Sequence, residues 1–196
     1  MKKIIGLAGD HAGFQLKQQL IPAIENLGFA VKDFGPFDDK GCDFPDFVGP
    51  AAAALAAREV HRIILIDGAG YPSGMTANKF PGVYAAVAND IFSAKLCREH
   101  SNANALCIGG QVIGLSMAKE IVTLFLNTPF AGGKYARRVE KVKSIESEQL
   151  ELESTQRPVD ILSLEELKEA VRSRKSILMD ENTRLTPSAE DFIRSL

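Results

Sequence analysis

Residues 63–70 read Ile-Ile-Leu-Ile-Asp-Gly-Ala-Gly: four apolar residues, one carboxylate, then a glycine-rich turn. A short, β-branched, continuously apolar run bounded by turn residues marks a strand buried on both faces. Such strands belong to parallel sheets, because their crossover connections lay helices over both sides. The same alternation continues outward in both directions up to about residue 150. Apolar runs predict further strands over 4–9, 29–34, 83–88 and 105–109, beside the central one over 62–67. Patterns of helical period fall between and after them, over 14–27, 45–58, 91–100, 115–126 and 134–150. The first of these places Leu16, Leu20, Ile24 and Leu27 on one face and stops at Gly28, where a left-handed C-cap suits glycine.

The totals agree with one compact domain and an appendage. A chain of 196 residues with 45% hydrophobic content supplies a sizeable core, and a formal charge of −2 advertises neither a nucleic-acid nor a membrane surface. A small-molecule or protein partner is the better expectation. Cys42, Cys97 and Cys107 are odd in number and lack zinc-like spacing, which fits a reducing, cytoplasmic compartment. The opening apolar run is too short for a secretory signal, and no stretch approaches a transmembrane helix. From about residue 151 the composition shifts to Glu and Ser, and Arg157-Pro158 interrupts any continuing helix, so a linker is expected there. Beyond it, Ser163-Leu164-Glu165-Glu166 has capping-box spacing for a helix through Arg172, and Thr186-Pro187 introduces another. This tail, residues 151–196, has too few apolar residues for a core of its own and is expected to pack on the main domain, 1–150, or on a neighbouring subunit.

In parallel α/β sheets ligands bind beyond the carboxyl ends of the strands. The first strand ends in Gly9-Asp10-His11-Ala12-Gly13, and the third in Asp67-Gly68-Ala69-Gly70-Tyr71-Pro72-Ser73-Gly74. An adjacent acid and histidine there can shuttle protons or hold an anion, and the same Asp equally suits a helix cap. Arg98-Glu99-His100 closes the helix before the fifth strand, where an imidazole also suits the helix dipole. His61, just before a strand, reads as structural or solvated. The glycine loop offers N–H groups to an anion, but it matches neither a Walker A loop nor GxGxxG, so a dinucleotide site has little support. Lys134 and Arg138, four apart behind Gly132-Gly133, share a helix face that either binds phosphate or is simply solvated.

Taken in order, Gly9-Asp10-His11-Ala12-Gly13-Phe14 with Leu16-Lys17, Asp43-Phe44-Pro45-Asp46, Ala77-Asn78-Lys79-Phe80-Pro81-Gly82, Arg98-Glu99-His100, Gly109-Gly110-Gln111-Val112-Ile113-Gly114 and Gly132-Gly133-Lys134 resemble the type B ribose-5-phosphate isomerase and galactose-6-phosphate isomerase family. The resemblance spans roughly residues 1–148. It implies an α/β Rossmann-like three-layer sandwich with a five-stranded parallel sheet. It also implies a homodimer or dimer of dimers with sites between subunits, and interconversion of an aldose and a ketose phosphate of four to six carbons through an enediol, with no metal and no cofactor. Carried over by position, Asp10 and His100 would assist ring opening. His11, Lys134 and Arg138 would face the phosphate, and the loop with Gly68, Gly70, Ser73 and Gly74 would hold the enediolate oxygens. Asp67 falls where many members carry the cysteine that moves the proton between C1 and C2, so the strand over 62–67 would deliver the base.

Other positions depart from the pattern. Ser73 occupies the place of a glutamate that some relatives without the cysteine use, and Ala69 stands where a hydroxyl is usual. Pro72 removes a donor from the loop. Ser101 follows His100 in place of asparagine, Gln111 replaces a phosphate-binding arginine, and Lys134 is a point charge where a bidentate arginine is common. Phe44 and Phe47 stand for frequent tyrosines. Ser101 and Gln111 are nevertheless expected to line the substrate pocket. Two readings follow: an isomerase with Asp67 as base, or a catalytically inactive sugar-phosphate binder or partner subunit in which Asp67 only caps the turn after it.

Overall fold

A computed structural model describes residues 2–155, 161–173, 177, 179 and 183–195. The first compact unit, Met1–Lys141, is built on five parallel strands: β1 (Ile4–Gly9), β2 (Ala30–Asp33), β3 (Arg62–Asp67), β4 (Ala85–Val87) and β5 (Ala105–Gly109), in the order β2-β1-β3-β5-β4. Between them run α1 (Phe14–Asn26), α2 (Pro45–Ala56), α3 (Tyr71–Ala77) and α4 (Ile91–Ser101), followed by α5 (Leu115–Asn127) and α6 (Lys134–Thr155). This is the α/β, Rossmann-like sandwich that the alternation and the resemblance implied.

β3 is buried along its whole length because it lies between β1 and β5, with Gly9 opposite Ile66 and Asp67 opposite Gly109. Its period-2 alternation feeds both layers. Ile64 and Ile66 join Leu7, Leu20, Ile24, Leu106 and Phe125 on one face, while Ile63 and Leu65 join Ala8, Val48, Ala51, Leu55 and Cys107 on the other. Each isoleucine or leucine of β3 removed from water contributes about 1.5–3 kcal/mol, and since both faces are buried a slip in register gains nothing.

Close backbone approach sets the upper edge of the sheet. A Cβ on either Gly9 or Gly13 would stand 1.8 Å from the carbonyl oxygen of Ile66, so only glycine lets the turn after β1 rest against β3. One further support is ionic. Lys17 of α1, fully buried, pairs with Asp33 at the end of β2 and donates to the carbonyl of Pro36 at 2.7 Å. At the other end of the sheet the buried Arg62 donates to the carbonyls of Phe125 and Leu126, the latter at 2.8 Å, closing the last turn of α5.

Two differences from the sequence expectation concern the elements themselves. Residues 71–77, expected as part of a glycine loop, form helix α3, introduced by Gly70 in the left-handed region with φ of 91°. Seven residues are too few to show a period, and the stabilising contact is a side chain from the preceding strand. α6 continues through Thr155, beyond the point where a linker was expected, and Arg157-Pro158 lie outside the described residues.

The second compact unit begins at Val142, inside α6. It contains a two-stranded parallel pair, β6 (Ile161–Leu162) with β7 (Arg184–Leu185), and helices α7 (Leu164–Ser173) and α8 (Pro187–Arg194), which pack together with Leu162 and Ala189 buried. The capping box is realised: the Ser163 N–H donates to Glu166 Oε2 at 2.8 Å, and the Glu166 N–H to Ser163 Oγ at 3.3 Å.

Candidate active site

Three strand ends converge at the carboxyl edge of the sheet. After β1, Asp10 turns back on its own loop, and its Oδ1 accepts the N–H groups of Ala12 at 2.9 Å and Gly13 at 3.1 Å. His11 is exposed, and its Nδ1 accepts the N–H of Cys42 at 3.4 Å. In the neutral ring that contact leaves the proton on Nε2, a donor for an incoming anion.

After β3, Asp67 is fully buried and also turns onto its own chain. Oδ1 accepts from the N–H groups of Ala69, at 2.9 Å, and Gly70, while Oδ2 accepts from the N–H of Ser73 at 2.9 Å. One carboxylate thus gathers the donors of the glycine loop and of the first turn of α3. β5 completes the edge: the Gly110 N–H donates to the Asp67 carbonyl at 2.7 Å and the Gln111 N–H to the Gly68 carbonyl at 3.1 Å. Gln111 itself is exposed.

Some expected contacts sit deeper than the sequence suggested. Ser73 is enclosed, with its Oγ lacking a hydrogen-bond partner among the described residues, and Gly74 is buried against Val87 and Cys107. Neither presents its side-chain position to a ligand here, because α3 lies down on the sheet where an open loop was expected. The neighbouring Cys107 thiol is pushed far up, first by burial and then by the charge of Asp67, so it is no substitute base. Asn89, not anticipated from sequence, ties the loop down: its Oδ1 accepts the Gly109 N–H at 2.8 Å and its Nδ2 donates to the Ala69 carbonyl at 3.4 Å. Its place two residues beyond β4, at the same edge, was the available signal.

The remaining candidates lie at the amino edge. α4 returns from the carboxyl edge, and its 11 residues carry the chain about 16 Å along the helix axis before reaching His100 and Ser101. The chain returns to this end after α5, where the Ala131 N–H donates to the Glu99 carbonyl at 3.1 Å, and α6 starts with Lys134 and Arg138 exposed. The His100 imidazole is stacked on Tyr135, with centroids 3.9 Å apart and planes 12° from parallel. Lys134 Nζ lies 5.2 Å and Arg138 Cζ 5.6 Å from the centre of the same phenol ring. Tyr135, between Lys134 and Ala136, carries no motif in the sequence that would single it out. One protomer therefore groups Asp10, His11, Asp67, Gly68, Gly70 and Gln111 at one edge, and His100, Ser101, Lys134 and Arg138 at the other. It does not bring the two sets together.

A depression of about 520 Å³ also opens at the amino edge, lined by Lys2, Arg58, His61 and Asn104 among others, and none of the candidate residues borders it. Among the described residues no cluster of three or more His, Cys, Asp or Glu side chains is arranged to hold a metal. No described helix is long and apolar enough to cross a membrane.

The model of the ribose/galactose isomerase family matches residues 5–142. The chain belongs to that family. Ribose-5-phosphate isomerase B of Escherichia coli is 38% identical over 146 residues, which cover 74% of this chain and 97% of the relative. Among solved structures, ribose-5-phosphate isomerase B of Clostridium thermocellum superposes with a TM-score of 0.73 at 38% identity, covering 74% of this chain and 99% of that one. The Mycoplasma genitalium enzyme, solved with bound ribulose-5-phosphate, gives 0.72 at 36%, covering 76% and 99%. The ribose/galactose isomerase family is one of aldose–ketose isomerases. The enzyme class implied by the ordered motifs, intramolecular oxidoreduction of a sugar phosphate, therefore stands.

Proposed function

We propose that this chain interconverts an aldose phosphate of four to six carbons and its ketose through an enediol, in sites that each take residues from two copies. The observation that carries this reading is the division of the candidate residues between opposite edges of one sheet. Each edge lacks what the other holds, so a second copy that brings its amino edge to the first copy's carboxyl edge completes the set. The relatives named as ribose-5-phosphate isomerases support a pentose-like substrate.

In such a site the phosphate lies between the Nε2–H of His11 and the cations of Lys134 and Arg138, with Gln111 as a neutral donor. Asp10 and the His100 of the second copy move the proton between the ring oxygen and the anomeric hydroxyl as the sugar opens. Asp67 then removes the proton next to the carbonyl and the electron pair moves onto the carbonyl oxygen; a proton passes from the adjacent hydroxyl to that oxygen, and Asp67, partly exchanged with solvent, delivers a proton to the former carbonyl carbon as the new carbonyl forms. The N–H groups of Ala69 and Gly70 have two suitors in this scheme. They hold the Asp67 carboxylate before substrate binds and transfer to the enediolate oxygens when it does, so oxyanion stabilisation and release of the base are one event.

Asp67→Asn keeps an acceptor for Ala69 and Gly70 and removes the base. It is expected to abolish incorporation of solvent deuterium at C1 or C2 and to lower turnover by roughly 100-fold or more. Normal exchange in the variant would remove Asp67 from the mechanism. The full enclosure of Asp67 by backbone donors favours a second reading, a sugar-phosphate binder or partner subunit without turnover. Thermal stabilisation by pentose and tetrose phosphates, with none of them converted, would select it.

A further inference from the structure

We propose that Tyr135 is a positioning residue that fixes the ring-opening imidazole relative to the phosphate grip, and that it thereby sets how well a cyclic sugar phosphate is used. The inference rests on the isomerase reading above and deepens it. The stack between His100 and Tyr135 joins the end of α4 to the first turn of α6, two segments otherwise linked there by the Ala131 N–H to the Glu99 carbonyl. An imidazole on a helix end rotates about two side-chain torsions, and a phenol face parallel to it at 3.9 Å removes most of that freedom. Lys134 and Arg138 gather around the same ring through cation–π attraction. One aromatic side chain therefore references the group that handles the ring oxygen to the groups that hold the phosphate. The distance between those two ends of the substrate is what distinguishes a furanose phosphate from an open chain. Only the ring face is needed for this, and the hydroxyl is not.

Two substrates separate this role from general support of the fold. Ribose 5-phosphate closes a five-membered ring and must be opened, whereas erythrose 4-phosphate cannot close one through its phosphorylated oxygen. Tyr135→Leu is expected to lower the ratio of kcat for ribose 5-phosphate to kcat for erythrose 4-phosphate at least tenfold, with KM rising by a similar factor for both. Tyr135→Phe is expected to restore the ratio to within about twofold of the wild-type value. Equal loss of kcat on the two sugars, or failure of the Phe variant to restore the ratio, would overturn the proposal. A readout independent of turnover covers the case in which neither sugar is converted. The His100 ring protons should carry an upfield ring-current shift in the wild-type protein and in Tyr135→Phe, lost in Tyr135→Leu. If that shift is absent from the wild-type spectrum the stack does not exist in solution and the positioning role falls. If the shift is present without conversion of any sugar phosphate, the isomerase reading fails and the ring-opening role falls with it.

Discussion

The two edges of the sheet hold their polar residues by different means. At the carboxyl edge, Asp10 and Asp67 are clamped by backbone N–H groups of their own loops, and the loops are clamped in turn by Asn89 and by the Ile66 carbonyl. At the amino edge, His100, Lys134 and Arg138 have no such backbone frame among the described residues and gather around the face of one side chain, Tyr135. A carboxylate can be oriented by donors that the fold supplies in any case. The cations at the start of α6 meet N–H groups of like polarity there, so an aromatic face takes that part. The acid half is thus rigid by main chain and the basic half by packing.

The most drastic way to break the comparison is to disable one edge in each of two copies. Asp67→Asn and His100→Asn should each lose roughly 100-fold or more in turnover when pure. Co-expressed, they should recover about one quarter of wild-type activity, because half of the dimers are mixed and each mixed dimer keeps one intact site. No recovery in isolated mixed dimers would show that both edges act within one chain or that one is dispensable.

A smaller effect tests how the carboxyl edge is supported below its loops. Lys17→Met leaves the Pro36 carbonyl without its donor and Asp33 without its cation, though Asp33 still accepts the Gly35 N–H at 2.9 Å, and should cost about 1–3 kcal/mol in denaturant unfolding, with Lys17→Met/Asp33→Asn recovering part of it. Burial holds the Lys17 ammonium below its usual range, and the hydrogen bond to Asp33 opposes that shift, which is the signature of an ion pair enclosed at a cost. An unchanged unfolding midpoint would mean that the turn after β2 stands without it.

The smallest effect belongs to the amino edge. Burial first, then the charges of Lys3, Arg62 and Arg98, hold His61 below its ordinary value of 6.5. The unfolded chain therefore takes up that proton more readily, and stability should decline as pH falls through 6.5 toward the folded value and level off below it. His61→Gln should flatten that part of the stability profile while leaving turnover unaltered. A profile that keeps its slope would place the sensitivity on another group.

Strand positions were legible because burial on both faces writes itself as continuous β-branched runs, and Ile4–Gly9, Arg62–Asp67 and Ala105–Gly109 match the expectation end to end. β2 and β4, on the sheet's outer positions, are shorter than expected, since only inner strands are apolar to their ends. The carboxyl-edge residues were legible as well, since chemistry at strand ends is a rule of such sheets. What could not be read was orientation. That Asp67 could cap the turn after it is readable in Asp67-Gly68-Ala69-Gly70, but not that its second oxygen reaches on to the Ser73 N–H, and nothing in Lys134-Tyr135 says that the phenol meets an imidazole 35 residues earlier in the chain. Those are outcomes of packing between elements, and a one-dimensional pattern carries no record of them.

The carbonyl of Ile66 accepts the Asp10 N–H at 3.2 Å and leaves no room for a Cβ at Gly9 or Gly13. Both acid-bearing turns are consequently bolted to one peptide unit, and neither can drift without dragging the other. A change of side chain at position 67 would therefore alter the chemistry at this edge while leaving both turns where they are.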